Sequence, residues 1–140
     1  MTPRPKVVLM AISTATVATN GTVSGVMDCL GYDYAVVDVL TSTADATTST
    51  FKKLILSEGD ASNSVTAFKT DGTDFTSVRS STNASCYAQF RVDLRGRKRW
   101  LKIEANPGTA ESVTVVGTLY RADEAPTSAA LANALNLVEV

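Results

Sequence analysis

The sequence predicts an all-β chain: an antiparallel β-sandwich, jelly-roll-like, with an extended N-terminal arm and a C-terminal tail. Three observations carry that prediction. Ser and Thr crowd the chain, most densely over residues 41–50 and 76–85. Thr prefers the pleated, half-buried surface of a sheet, and Ser favours turns. Apolar residues recur with period two over short runs, which puts successive side chains on opposite faces of a strand. Turn-forming residues separate those runs, and about seven short strands with frequent turn signals fit a sandwich or jelly roll better than a barrel with a large cavity.

Along the chain, residues 1–20 bear prolines and then a Thr- and Ala-rich stretch, and read as the arm. Residues 7–10 and 23–30 give fainter strand signals. Over 34–40, Ala35, Val37 and Val39 share one face against Tyr34, Val36, Asp38 and Leu40. Over 51–57, Leu54 and Leu56 stand together, with Lys53 and Ser57 opposite. A short run at 65–69 ends at the turn Asp71-Gly72. Phe90, Val92 and Leu94 then alternate with Arg91 and Asp93. Leu101, Ile103 and Ala105 oppose Trp100, Lys102 and Glu104, and Val113, Val115, Gly117 and Leu119 oppose Thr114 and Thr118.

Two turns join the last three runs. Arg95-Gly96-Arg97-Lys98 offers a glycine for the positive φ of a hairpin. In Asn106-Pro107-Gly108-Thr109, proline presets φ and glycine accepts the left-handed region. Residues 88–121 are therefore expected to form a three-stranded meander, closing a sandwich domain over 21–121. In the tail, 122–140, Thr127 or Ser128 could cap a short helix with Leu131, Leu135 and Val138 on one side. Leu137, Val138 and Val140 are apolar for a free terminus, and suggest docking onto this domain or a neighbour.

Composition narrows the function. A chain of 140 residues is one domain by length and buries roughly 68–70% of its unfolded surface. Charged residues make up 19%, below the usual value of about 25%. The net charge of −1 and isoelectric point near 5.3 lack the basic signature of a nucleic-acid binder. No stretch approaches the length of a membrane span. The N-terminus lacks a signal peptide's apolar region, so it reads as mature protein made in a cytoplasm.

Histidine is absent, which removes the commonest general acid–base and metal ligand at neutral pH. Neither a Ser/His/Asp nor a Cys/His arrangement can be assembled. Asp28, Asp33, Asp38, Glu58, Asp60, Asp93 and Glu104 are scattered and read as solvated surface acids. Asp71-Gly72-Thr73-Asp74 lacks the ligand series of a calcium loop and reads as a polar turn. Cys29 and Cys86 match no metal or redox spacing. They read as small buried hydrophobes, with a disulfide within or between chains as the alternative. The sequons at Asn20 and Asn83 read as chance. Neither enzymatic activity, nor a metal, nor a cofactor is expected.

The sharpest local feature is basic. Arg95, Arg97, Lys98 and Arg99 sit together at a turn, with Arg91 and Lys102 near. They read either as a solvated turn or as a docking patch for an acidic protein surface, where charge steers association and fixes register. Contact with nucleic acid fits less well, because stacking aromatics are sparse and the domain is acidic. Trp100 beside them is a core aromatic or an interface anchor.

The run Phe90-Arg91-Val92-Asp93-Leu94-Arg95-Gly96-Arg97-Lys98-Arg99-Trp100-Leu101-Lys102-Ile103 resembles small structural proteins of tailed bacteriophages. So do the Pro-Gly turn, residues 115–119 and the following Tyr120-Arg121-Ala122-Asp123-Glu124-Ala125-Pro126. Tyr32-Asp33-Tyr34-Ala35-Val36-Val37-Asp38-Val39 and Leu54-Ile55-Leu56-Ser57-Glu58 also resemble that group. The resemblance implies a virion component, a decoration or cement protein on the capsid exterior. It further implies the major capsid protein as partner and a homo-oligomer, trimer or dimer, at the shell's local symmetry axes. Neither nucleic acid nor membrane is an expected partner. The motifs are structural, so interface residues are expected among Arg95, Arg97, Lys98, Arg99, Trp100, Leu131, Leu135, Leu137 and Val138. The competing readings are a head–tail connector, a tail or shell protein, or a carbohydrate-binding module for host attachment.

Overall fold

A computed structural model describes residues 7–42, 51–75, 87–108 and 110–120. They form eight strands: β1 (Val7–Val17), β2 (Val23–Asp28), β3 (Tyr34–Thr41), β4 (Lys53–Ala61), β5 (Ser64–Thr70), β6 (Tyr87–Asp93), β7 (Trp100–Asn106) and β8 (Glu111–Tyr120). The strands build two four-stranded antiparallel sheets, ordered β1-β8-β3-β6 and β2-β7-β4-β5. Only the β4–β5 connection stays within a sheet; every other connection crosses between them. This double Greek-key order is that of a jelly roll.

The inward faces follow the period-two pattern. Val37, Val39, Val113, Val115 and Leu119 of the first sheet pack against Met27, Leu54, Leu56, Leu101 and Ile103 of the second, all almost fully buried. Phe51, Val92 and Leu94 extend this core. Between the edge strands β5 and β6, Phe75 meets Phe90 edge-on, with ring centroids 5.5 Å apart. Ser57, expected on the face opposite Leu56, is buried as well.

Two expectations need correction. The stretch over 88–121 is not a meander: β6 pairs with β3, β7 lies between β2 and β4, and β8 lies between β1 and β3. The reason is visible at the ends of the basic turn. The Leu94 N–H donates to the Asp33 carbonyl in the first sheet, at 2.8 Å, whereas the Arg99 carbonyl accepts from Cys29 N–H in the second, also at 2.8 Å. The turn is a bridge between sheets. The domain boundary at residue 20 also moves, because Val7–Val17 is a strand whose register with β8 runs from Val7↔Tyr120 to Val17↔Glu111. A β-bulge between Ala11 and Ser13 interrupts that pairing and is a common edge-strand device against further pairing. Residues 1–6 of the arm and the whole tail lie outside the described residues.

Candidate functional site

The chain leaves β6 at Asp93, turns at Gly96, which holds φ at 81°, and enters β7 at Trp100. The Arg97 N–H closes the turn on the Leu94 carbonyl at 2.9 Å. The turn thereby presents four cations side by side, and each has a carboxylate partner. Arg95 grips Asp93 through Nε and Nη2 at 2.9 and 2.7 Å. That two-point contact holds the Asp93 carboxyl down to about 2. Arg99 grips Asp28 in the same way, at 2.8 and 2.6 Å, and this bond keeps the Asp28 carboxyl below its usual range. Lys98 Nζ reaches Asp60 at 2.8 Å.

Arg97 has a more sheltered place. Glu58 pairs with Leu101 across the ladder and so continues the inward face of Leu54 and Leu56. There it accepts from Arg97 Nη1 at 3.4 Å and from the Lys98 N–H at 3.3 Å. The register shift between β4 and β5 leaves Phe68 as the extra residue of β5. The Arg97 guanidinium lies 4.3 Å from the centre of its ring, a cation–π contact. The Arg99 guanidinium stands 5.2 Å from the centre of the half-buried Trp100 ring. The structure thus gathers Arg97, Lys98, Arg99 and Trp100 with Glu58, Asp60 and Asp28, and it binds Arg95 to Asp93. None of the four cations is unpaired. Leu131, Leu135, Leu137 and Val138 lie outside the described residues.

Other features singled out in the sequence have local explanations. Asp74 Oδ2 accepts from the Thr70 N–H at 2.7 Å, and the Gly72 N–H donates to the Phe75 carbonyl at 2.7 Å, so the acidic loop is a side-chain-closed turn. Cys29 is buried with a free thiol, and burial pushes that thiol up to about 12. Asn20 takes φ of 65° in a turn and accepts from Lys52 Nζ at 2.6 Å. Cys86 and the sequon at Asn83 lie outside the described residues.

A second surface was not foreseen from the sequence. The outward side of β3, β6 and β8 bears Tyr34, Tyr87 and Tyr120, three of the chain's four tyrosines. Tyr34 and Tyr120 are cross-strand partners, with rings tilted by 59° and centroids 6.1 Å apart. Beside them runs a hydrogen-bonded chain on the exposed face. The Tyr87 hydroxyl donates to Asp38 Oδ1 at 2.6 Å, which also accepts from Gln89 Nε2 at 2.8 Å. Arg91 Nε donates to Gln89 Oε1 at 2.7 Å. Bonding to Asp38 raises the Tyr87 phenol above its ordinary value. Asp33, Tyr34, Val36, Asp38, Gln89, Arg91, Asp93, Arg95 and Tyr120 together line a groove of about 690 Å³. The period-two pattern already put Tyr34 and Asp38 on one face; what it lacked was the neighbouring strand.

Neither a protein-family model nor a curated protein matches this chain. Among solved structures, a family GH115 4-O-methyl-α-glucuronidase is similar at TM-score 0.41 and 12% identity, over 79% of this chain and 14% of the enzyme. The SPBc2 prophage-derived protein YomS is similar at TM-score 0.51 and 22% identity, over 86% of this chain and 97% of YomS. The jelly roll described here is thus a fold shared, nearly end to end, with a prophage-derived protein.

Proposed function

We propose that this chain is a non-enzymatic structural protein of a phage virion, a decoration or cement protein that binds the outside of the head and stabilises contacts between major capsid subunits. The observation that carries the reading is the jelly roll shared with prophage-derived YomS over 97% of that protein's length. The sequence resemblance to small phage structural proteins points the same way, as does a chain without histidine.

The mechanism is clamping. Copies of the protein, as trimers or dimers, bury surface across junctions between shell subunits, so parting those subunits also requires breaking the cement contacts. A partner bound at 100 times its dissociation constant adds about 2.7 kcal/mol per site. Repeated over a shell, that term opposes the outward pressure of packaged DNA. The basic turn serves as a contact of fixed register rather than as a source of net positive charge, because Arg95, Arg97, Lys98 and Arg99 already hold carboxylates. The apolar tail supplies the complementary contact.

The test is to mix the purified chain with undecorated heads and measure bound copies. Saturable binding in hundreds of copies on the outer surface is expected. Absence of saturable binding overturns the reading, and a ring of a dozen or fewer copies reassigns the chain to a connector or tail role.

A further inference from the structure

We propose that the groove on the outward side of β3, β6 and β8 binds a neutral oligosaccharide, with Tyr34 and Tyr120 as the stacking platform and Asp38, Gln89 and Arg91 as the hydroxyl-reading groups. The groove shares Asp93 and Arg95 with the basic turn assigned to capsid docking, but its ligand-binding residues, Tyr34, Tyr120, Asp38, Gln89 and Arg91, lie outside that turn.

Three observations carry it. The outward face of an antiparallel sheet in water is ordinarily polar, yet this one concentrates three tyrosines. A tyrosine ring offers an electron-rich face to the C–H side of a sugar and a hydroxyl at its tip. The polar groups beside the rings are carboxylate, amide and guanidinium, planar groups able to meet paired hydroxyls at two points. Their orientations are fixed before any ligand arrives, since Tyr87, Asp38, Gln89 and Arg91 form one continuous chain of bonds between 2.6 and 2.8 Å. Fixed groups lose less freedom on binding.

Charge and size choose the ligand. Asp33, Asp38 and Asp93 face Arg91 and Arg95 around the groove, and Arg95 is already committed to Asp93. Such a balance favours an uncharged ligand over a phosphate backbone or an acidic glycan. The groove's volume of about 690 Å³ lies in the range of small-ligand sites, roughly 300–1,000 Å³. From Tyr34 to Leu40, whose cross-strand partner is Tyr87, the face runs about 20 Å at the rise of a β-strand, enough for a short oligosaccharide lying along the strands.

The experiment titrates the full chain with neutral tetrasaccharides and hexasaccharides of glucose, galactose and mannose, beside uronate-bearing oligomers of matched length. Gln89→Ala and Arg91→Ala are the variants, both at exposed positions, and melting midpoints control for folding. Saturable binding of at least one neutral series is expected, weakened about tenfold or more in each variant with the midpoint unchanged. Three results would overturn the proposal: no saturation by any neutral oligomer at millimolar concentration, parental affinity in both variants, or preference for the acidic series. Protection of residues 87–93 by capsid shells, with no glycan binding, would assign the face to a protein partner instead. Shell binding is measured separately, so the two proposals fail by different readouts.

Discussion

Replacing Ile103 by alanine tests the packing at the centre of the sandwich. Ile103 is 1% exposed in β7, a central strand of its sheet, with Leu56 beside it on β4 and Gly25 beside it on β2. Removing most of a buried aliphatic side chain costs about 2–5 kcal/mol, and the value depends on how far the walls can collapse. One wall here is glycine, which has no side chain to lean into the gap, so a loss near the upper part of that range, about 4 kcal/mol, is expected. At roughly 4 °C per kcal/mol for a chain of this length, the melting midpoint should fall by about 16 °C. Ile103→Val removes a single methylene and should cost only about 1 kcal/mol. Urea unfolding of the three proteins, followed by fluorescence and circular dichroism, gives both losses, and an unchanged slope would show that the folded and unfolded states keep their surface difference. A loss below about 1 kcal/mol for the alanine variant, or equal losses for both variants, would refute the assignment of Ile103 to an inextensible part of the core.

Further outcomes follow from other sites. A Cβ added at Gly59 would overlap the Ser64 carbonyl oxygen and stand 2.9 Å from its carbon, so Gly59→Ala should cost about 1–3 kcal/mol through the β4–β5 hairpin; an unchanged midpoint would contradict that close approach. The Asp93 carboxyl is held near 2 by Arg95, below the ordinary 3.8, and Asp28 is lowered by Arg99. Depressed carboxylates contribute stability that is present above the unfolded value and lost as pH falls through the folded one. The melting midpoint should therefore drop between about pH 4 and about pH 2, and Arg95→Gln with Arg99→Gln should flatten that slope; an equal slope in the double variant would sink the assignment. Burial raises the Cys29 thiol to about 12, so native protein at mildly alkaline pH should leave Cys29 unalkylated, whereas denatured protein should react there. Site-resolved mass spectrometry reads the difference, and native labelling of Cys29 would contradict its burial.

What could be read from the sequence was whatever a single strand reveals by itself. Ala35, Val37 and Val39 face inward as the alternation required, and so do Leu101, Ile103 and Ala105. Which sheet a strand joins is not written in its own alternation. A six-residue stretch from Leu94 to Arg99 looks like a hairpin loop because of Gly96, yet its ends are bonded to Asp33 and Cys29 in opposite sheets. The strand β1 was only half seen, through the faint signal over residues 7–10, for another reason. Its second half, Ala11 to Val17, reads Ala-Ile-Ser-Thr-Ala-Thr-Val, too weakly apolar to declare a buried face, and pairing with β8 over its length defines it. The cations of the basic turn are neighbours in sequence, so they were seen. Their partners Asp28, Glu58 and Asp60 arrive from β2 and β4. The tyrosine groove was invisible for the same reason, since Tyr34 and Tyr120 meet only once β3 lies beside β8.

The jelly-roll connectivity leaves the protein with two outward faces of different chemistry. On the second sheet, Glu104 takes Lys53 at 3.0 Å and Lys102 at 3.7 Å, and Asp28 takes Arg99. Each of these charges has an opposite partner, with Glu104 shared between two lysines. Exposed pairs of this kind add little to stability, but their value in docking differs from that of lone charges. Covering a formed pair strands no uncompensated ion, whereas covering a single cation would leave one buried and unpaired. The basic turn, whose four cations each hold a separate carboxylate, can therefore be covered by a partner without that penalty, and specificity comes from its fixed geometry. The first sheet offers the opposite: tyrosine rings and a short chain of planar polar groups around a groove, suited to a ligand with few charges.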